Sequence, residues 1–262
     1  MSDALPKDYL DRFSGLGRLY GTDALPCLRD AHVAVVGIGG VGSWAAEALA
    51  RSGIGQITLI DLDEVCISNV NRQLHAVQDR IGQPKVAVMA DRLRRIHPSC
   101  QVNERMRFFT GSSAEELLAP AYDCTIDAID SVAEKALLVA SCRERGLPLV
   151  VAGGAGGKCD PSAVATADLA FATNDRLLKL LRKKLRAHYG FPPEPRREPF
   201  GIRAVFSTEN ARYPWGDGTV RSEPEPGSEL RLNCDNGFGT AAPVTGTFGL
   251  VAAAEAIRQL LD

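Results

Sequence analysis

Short apolar runs and longer amphipathic stretches alternate along the first half of the chain. Residues 32–36 (HVAVV) are apolar at nearly every position, the pattern of a strand covered on both faces. Residues 41–52 then read as a helix that stops at Gly53. A second buried strand follows at 56–60 (QITLI). Val86, Val88, Met89, Leu93 and Ile96 recur near helical spacing, which predicts a helix over 85–96, ended by His97-Pro98. Further strands are predicted at 102–109, 122–129 and 148–152, with a helix over 132–145. Strands alternating with helices imply a doubly wound, mostly parallel, Rossmann-like α/β sheet with helices on both faces.

Beyond Gly153 the pattern changes. GGAGGKCDP is a glycine-rich connection, and residues 174–188 read as a basic helix. The proline-rich segment 191–201 reads as a mobile loop, 202–207 as a strand, 216–231 as polar turns and about 244–261 as a final helix. The expected organisation is a nucleotide-binding domain over 1–155. Residues 156–262 form a C-terminal elaboration of the same unit.

Composition narrows the picture. A length of 262 residues allows a large core, and a net charge of -2 selects no nucleic acid globally, so any such surface must be local. The seven cysteines form no C-x-x-C pair, which suits a reduced cytoplasm and argues against paired zinc knuckles. The first residues, MSDALPKDYLDRF, hold no apolar run fit for a secretory signal, so a cytoplasmic location is expected. Residues 237–254 carry no charge, and their length reaches the roughly 18 residues of a membrane span. Gly, Ala and Thr dominate there and Pro243 interrupts, which points to close packing inside the protein, with no stable membrane insertion.

The strongest chemical signal is Gly37-Ile38-Gly39-Gly40-Val41-Gly42, a G-x-G-x-x-G after a strand and opening a helix. Such glycines let backbone approach a phosphate chain. Asp61 ends the next strand, where an acid binds ribose hydroxyls. A dinucleotide dehydrogenase shares these features. It has no need of the set downstream: Asp63, Arg72 and Lys85, then Asp130 in DAID. An Arg and a Lys neutralise triphosphate oxygens, and an acid holds magnesium, so the set points to ATP with Mg2+.

The segments VVGIGGVGSWAAEALARSGIG, LIDLDEVCISNVNRQLHA, QPKVAVMADRLRRIHP and IDAIDSVAEKALL resemble the adenylating domain of ubiquitin-activating enzymes and of bacterial enzymes that activate sulfur carriers. This resemblance implies that Asp61 binds ribose, that Asn69, Arg72 and Lys85 contact phosphates, and that Asp130 binds magnesium. It also implies a homodimer in which an Arg of the partner's N-terminal segment completes each site, and Arg12 matches that position. DRFSGLGRLYG, VVAGGAGGKCDP, AVFSTE and NCDNGFGT are similar to one bacterial branch of the family across essentially the whole chain. That branch implies an ATP-dependent dehydration: the threonine carboxylate of N6-threonylcarbamoyladenosine, next to the tRNA anticodon, is adenylated and the ring closes. The alternatives are an adenylyltransferase for a sulfur-carrier or ubiquitin-like protein, and a redox or nonenzymatic nucleotide-binding module. Sulfur-transfer proteins are further candidate partners.

Residues 176–190 (RLLKLLRKKLRAHYG) contain six Arg and Lys and no acid, and Arg196, Arg197 and Arg203 follow. A tRNA carrying threonylcarbamoyladenosine would meet such a cluster, with Tyr189 and Phe191 available to stack on unpaired bases. The plain alternative is a solvated helix face with Leu177, Leu178, Leu180, Leu181 and Leu185 buried beneath it. Cys234 lies in a polar, glycine-rich loop. It is weighed as an acceptor thiol against an inert cysteine, and the inert reading is preferred.

Overall fold

In the computed structural model, which describes residues 4–194, 198–227 and 238–262, seven strands form one sheet in the order β3-β2-β1-β4-β5-β7-β6. These are β1 (His32–Val36), β2 (Gln56–Ile60), β3 (Gln101–Arg105), β4 (Cys124–Asp127), β5 (Leu149–Ala152), β6 (Val164–Asp168) and β7 (Arg203–Ser207). All pair in parallel except β6, which lies antiparallel on β7. The sheet is therefore continuous across residue 155.

The apolar runs behave as the pattern requires. Val33 and Val35 of β1 point into one core, and Ala34 and Val36 into the other. On the first face lie α2 (Ala24–Asp30), α3 (Gly42–Arg51), α4 (Lys85–Ile96) and α8 (Ala242–Leu261). On the second lie α5 (Ala114–Leu117), α6 (Val132–Arg145) and α7 (Arg176–His188). The predicted strands at 102–109 and 122–129 end early, at Arg105 and Asp127. Beyond those points the chain leaves the sheet to line a cavity.

The uncharged segment resolves into α8, with Val244, Phe248, Ala252 and Ala256 buried. Its small residues let it press on α3: Gly246 sits against the Trp44 indole, and a Cβ at Gly249 would come within 2.5 Å of Val41 O. Among the described residues no helix is long and apolar enough to cross a membrane. The first helix, α1 (Lys7–Tyr20), is pinned by Tyr9, whose hydroxyl donates to Gly53 O at 2.9 Å and to Leu25 O at 3.2 Å. Phe13 packs beside it against Tyr9 and the His97 ring.

His75 is buried, and among the described residues neither ring nitrogen meets a hydrogen-bond partner. Burial, reinforced by the positive Lys85, pushes its pKa from 6.5 down to about 3. The unfolded chain takes up this proton below pH 6.5, whereas the folded protein refuses it until about pH 3. His75 thus favours the folded state fully above pH 6.5 and drains stability as the pH falls from there toward 3. The slope is about 1.4 kcal/mol per pH unit for one proton. In urea titrations across that window, His75→Leu should lose stability with acid more slowly than the wild type. Parallel profiles would contradict the assignment.

Candidate functional site

The carboxyl ends of β2, β1, β4 and β5 open on a cavity of about 700 Å3. It sits where strand order reverses: the chain runs outward from β1 to β2 and β3 on one side and to β4 and β5 on the other. Open parallel sheets bind ligands at such a point.

The glycine turn forms its floor. Gly37 adopts φ +89°, and a Cβ there would approach Ala128 O to 2.8 Å. Gly37, Gly39 and Gly40 line the cavity. Gly42 does not; a Cβ on it would strike the Gly37 carbonyl, so its role is to close α3 onto the turn. Asp61, at the end of β2, locks the same turn: its Oδ2 accepts from Ile38 N at 2.6 Å and its Oδ1 from Asp63 N at 2.8 Å. Burial pushes the Asp61 carboxyl above the usual carboxylate range, with Lys85 pulling against it.

The two cations line the cavity together. Lys85 opens α4, is nearly buried, and donates to Asp63 Oδ2 at 2.7 Å. Arg72 Nη1 donates to Ser68 O at 2.7 Å. The Arg72 carbonyl accepts from Trp44 Nε1 and Thr245 Oγ1, both at 3.2 Å, which fixes its loop to α3 and α8. Asn69 lies in the loop that carries Arg72. Its side chain is buried and is not part of the cavity wall; Oδ1 accepts from Cys66 N at 3.0 Å. The short polar side chain is claimed by its own backbone, and it shapes the loop that carries Arg72.

Asp130 lines the cavity just beyond β4 and is exposed. No cluster of three His, Cys, Asp or Glu suited to a metal occurs among the described residues. A single carboxylate beside a phosphate cradle fits Mg2+, which takes one or two protein carboxylates and draws its remaining ligands from phosphates and water. Nucleotide fits the cavity on two counts. One is that Gly37, Gly39 and Gly40 of the glycine turn line it; the other is a buried Gln73 Oε1 with no donor among the described residues. Beneath Asp130 lies a pair that no sequence pattern singles out. Lys135 and Asp127 are both fully buried, 2.9 Å apart, and Lys135 Nζ also donates to Ile129 O at 2.8 Å. Burial pushes the Asp127 carboxyl up, with Lys135 opposing.

Arg12 does not line the cavity of its own subunit. It projects from α1 and pairs with Asp8 at 3.1 Å. Leu10, Leu19 and Tyr20 are exposed on the same helix.

The basic helix α7 is real, and its burial is uneven. Leu178, Leu181 and Leu185 join the second core and Leu177 is buried at the cavity wall, whereas Leu180 is exposed. Asp175 caps it, accepting from Leu178 N at 2.8 Å. Arg176, Lys179 and Lys183 are exposed. Arg182 is half-buried and donates to Leu169 O, Arg186 pairs with Glu194 at 2.6 Å, and Arg203 pairs with Glu255 at 3.1 Å. Phe191 is not available for base stacking: it is buried edge-on against Phe200, with the Arg143 guanidinium over its ring. These ring contacts also pin both ends of the segment that its prolines predict to be a mobile loop. Arg196, Arg197 and Cys234 lie outside the described residues.

Residues 107–110 after β3 and Thr245 of α8 line the cavity without any sequence motif. The wall at 153–156 and Phe238 lie in VVAGGAGGKCDP and NCDNGFGT, which carry the resemblance but by pattern alone read only as connections.

The ThiF family matches residues 14–262. The tRNA threonylcarbamoyladenosine dehydratase of Escherichia coli is 46% identical over 100% of this chain and 97% of its own length. The Haemophilus influenzae protein of the same name is 45% identical over 97% and 95%. A crystal structure of the E. coli enzyme in complex with ATP superposes with a TM-score of 0.86 at 44% identity, covering 98% of this chain and 96% of that one.

Proposed function

The chain belongs to the ThiF family, and on that premise we propose that it is an ATP-dependent dehydratase of N6-threonylcarbamoyladenosine in tRNA. The observation that carries this reading is the cavity at the strand-order reversal. It joins the glycine turn, the ribose acid Asp61 and the cations Arg72 and Lys85 in a chain alike over its full length to enzymes of that activity.

A carboxylate is a poor electrophile because its oxygen is a poor leaving group. Its oxygen attacks the α-phosphorus of ATP, forming a P–O bond as the bond to pyrophosphate breaks. A nucleophile of the neighbouring carbamoyl group then bonds the acyl carbon, AMP leaves, and the nucleophile gives up its proton. Held in one molecule, the second step is effectively unimolecular and needs no enzyme nucleophile. Arg72 and Lys85 neutralise the charge that develops on the phosphates, with Arg12 of the partner subunit completing the set in a homodimer. Asp61 holds the ribose, Asp63 orients Lys85, and Asn69 keeps the Arg72 loop in shape. Asp130 would hold magnesium, which supplies charge neutralisation on the phosphate oxygens when bound. The enzyme acts in the cytoplasm, where its tRNA is.

The test follows pyrophosphate release from ATP with three candidates in turn: tRNA bearing threonylcarbamoyladenosine, unmodified tRNA, and a small carrier protein with a Gly-Gly terminus. Release only with the modified tRNA is expected. Release with the carrier protein would favour the sulfur-carrier adenylyltransferase instead. Asp130→Ala should cut turnover by about 100-fold or more while the melting temperature holds, since it removes one transition-state charge partner. Normal turnover in that variant would remove Asp130 from the metal site.

The exposed face of α7 supplies affinity for the tRNA backbone. Lys179→Glu with Lys183→Glu should weaken tRNA binding across sequences. The slope of log K against log salt should become shallower by about 1 for each phosphate no longer engaged. Arg182 and Arg186 are poor targets because protein groups already hold them. Unchanged tRNA affinity would leave α7 as a solvated face.

A further inference from the structure

The cavity is longer than a nucleotide site alone explains. Along the sheet its wall runs from residues 107–110 after β3, past Asp61 and Asp63 after β2, the glycine turn after β1 and residues 128–131 after β4, to residues 152–156 after β5. In a doubly wound sheet of this order the ribose lies at the acid after β2, and the phosphates lie over the turn after β1. Nucleotide, Arg72 and Lys85 account for the wall from β2 to β4, and the wall beyond the end of β5 is left for the group that the nucleotide activates.

We propose that the end of the cavity walled by residues 153–156, Leu177 and Thr240 is the acceptor subsite, that it takes the carboxylate-bearing side chain of a nucleoside within RNA, and that Asp175 is its positioning residue. The proposal rests on the dehydratase reading above. Three observations support it. Gly153, Gly154 and Gly156 leave bare backbone along the wall, and the amides of Ala155 and Gly156 meet no acceptor among the described residues. Successive unpaired amides suit a carboxylate. The wall is also rigid. Asp175 Oδ2 accepts from Gly154 N at 2.9 Å while its Oδ1 caps α7, and a Cβ at Gly153 would strike that same Oδ2. Lys158, buried, donates to Asn174 O and Glu209 O and closes the loop from behind.

The third observation is what Asp175 joins. One oxygen holds the cavity wall and the other holds the start of the helix whose outer face carries Arg176, Lys179 and Lys183. An RNA backbone seated on α7 is thereby kept in register with the subsite. A free carboxylic acid or a peptide terminus gains nothing from that link, whereas a nucleoside flanked by phosphates does.

Two variants test this. A Cβ at Gly154 would lie 3.7 Å from Leu177 Cβ, an ordinary contact, so the position accepts a side chain, and the two further methyls of Gly154→Val crowd the subsite wall. ATP affinity should stay within about twofold, while kcat/KM for modified tRNA falls at least about tenfold. Asp175→Asn keeps the volume but turns an N–H toward Gly154 N or Leu178 N. It should lower kcat about tenfold with ATP affinity unchanged, and Asp175→Glu should not rescue it. Wild-type kinetics in Gly154→Val, or an equal loss of ATP binding, would overturn the subsite alone. So would an Asp175→Asn enzyme that is less heat-stable yet kinetically normal. A wild-type enzyme that releases no AMP with modified tRNA would remove both this proposal and the reading beneath it.

Discussion

Arg12→Ala and Lys85→Ala subunits, each inactive alone, should regain activity when mixed under conditions of subunit exchange. Arg12 lies outside its own subunit's cavity, and Lys85 lies within it. Tyr9 and Phe13 clamp α1 to the body of the protein, so Arg12 has no route inward by a loose helix. Its side chain is exposed and pairs only along its own helix with Asp8 among the described residues. If Arg12 reaches the partner's phosphates across a two-fold axis, a mixed dimer holds one doubly defective site and one intact site. Recovery of up to about half of the sites in each heterodimer is expected. If Arg12 acts on its own subunit, every site keeps one defect. Heterodimers verified by mass and still inactive would rule out the shared site. Each single variant should lose about 100-fold or more in turnover, the scale of removing one charge partner from a phosphate transition state.

The second large effect concerns stability. Lys135→Met should cost about 3–5 kcal/mol in urea unfolding at neutral pH, because it strands the Asp127 carboxylate in a site with no solvent. Both side chains are fully buried, and Asp127 Oδ2 already lacks a partner among the described residues. Replacing both, as Asp127→Leu with Lys135→Met, should recover most of that loss, since a well-packed apolar pair is often as stable as a buried ion pair. Turnover should stay low in the double variant. Lys135 also holds Ile129 O, one residue before Asp130, so the turn that presents Asp130 to the cavity loses its anchor. A double variant that is stable and fully active would show that the pair serves packing only.

These expectations draw on different depths of the molecule. The glycine turn and Asp61 were legible because they lie within one strand-turn-helix-strand unit. The spacing of about 20 residues between them is set by the length of the helix and by the 3.6-residue period of its apolar face. For the same reason α4 and α6 begin and end where their patterns predict, Lys85–Ile96 and Val132–Arg145. At Asn69 a phosphate contact and a local cap draw on the same residue type, and the structure shows the cap.

What the sequence by itself determined was the set of local units: strands covered on both faces, amphipathic helices, a phosphate-binding turn and the cations that follow it. Their apolar periodicity dictates which face is buried, whatever they pack against. The tertiary structure alone decided which units meet. The order β2-β1-β4-β5 carries Asp61, Gly37, Asp130 and Gly154 to one edge of the sheet. The small residues of α8 let it lie on α3 and place Thr245 on the Arg72 carbonyl, 173 positions away in the chain. No local pattern encodes such a pairing. It follows from shape and from the burial of two complementary faces, and so from the whole chain at once.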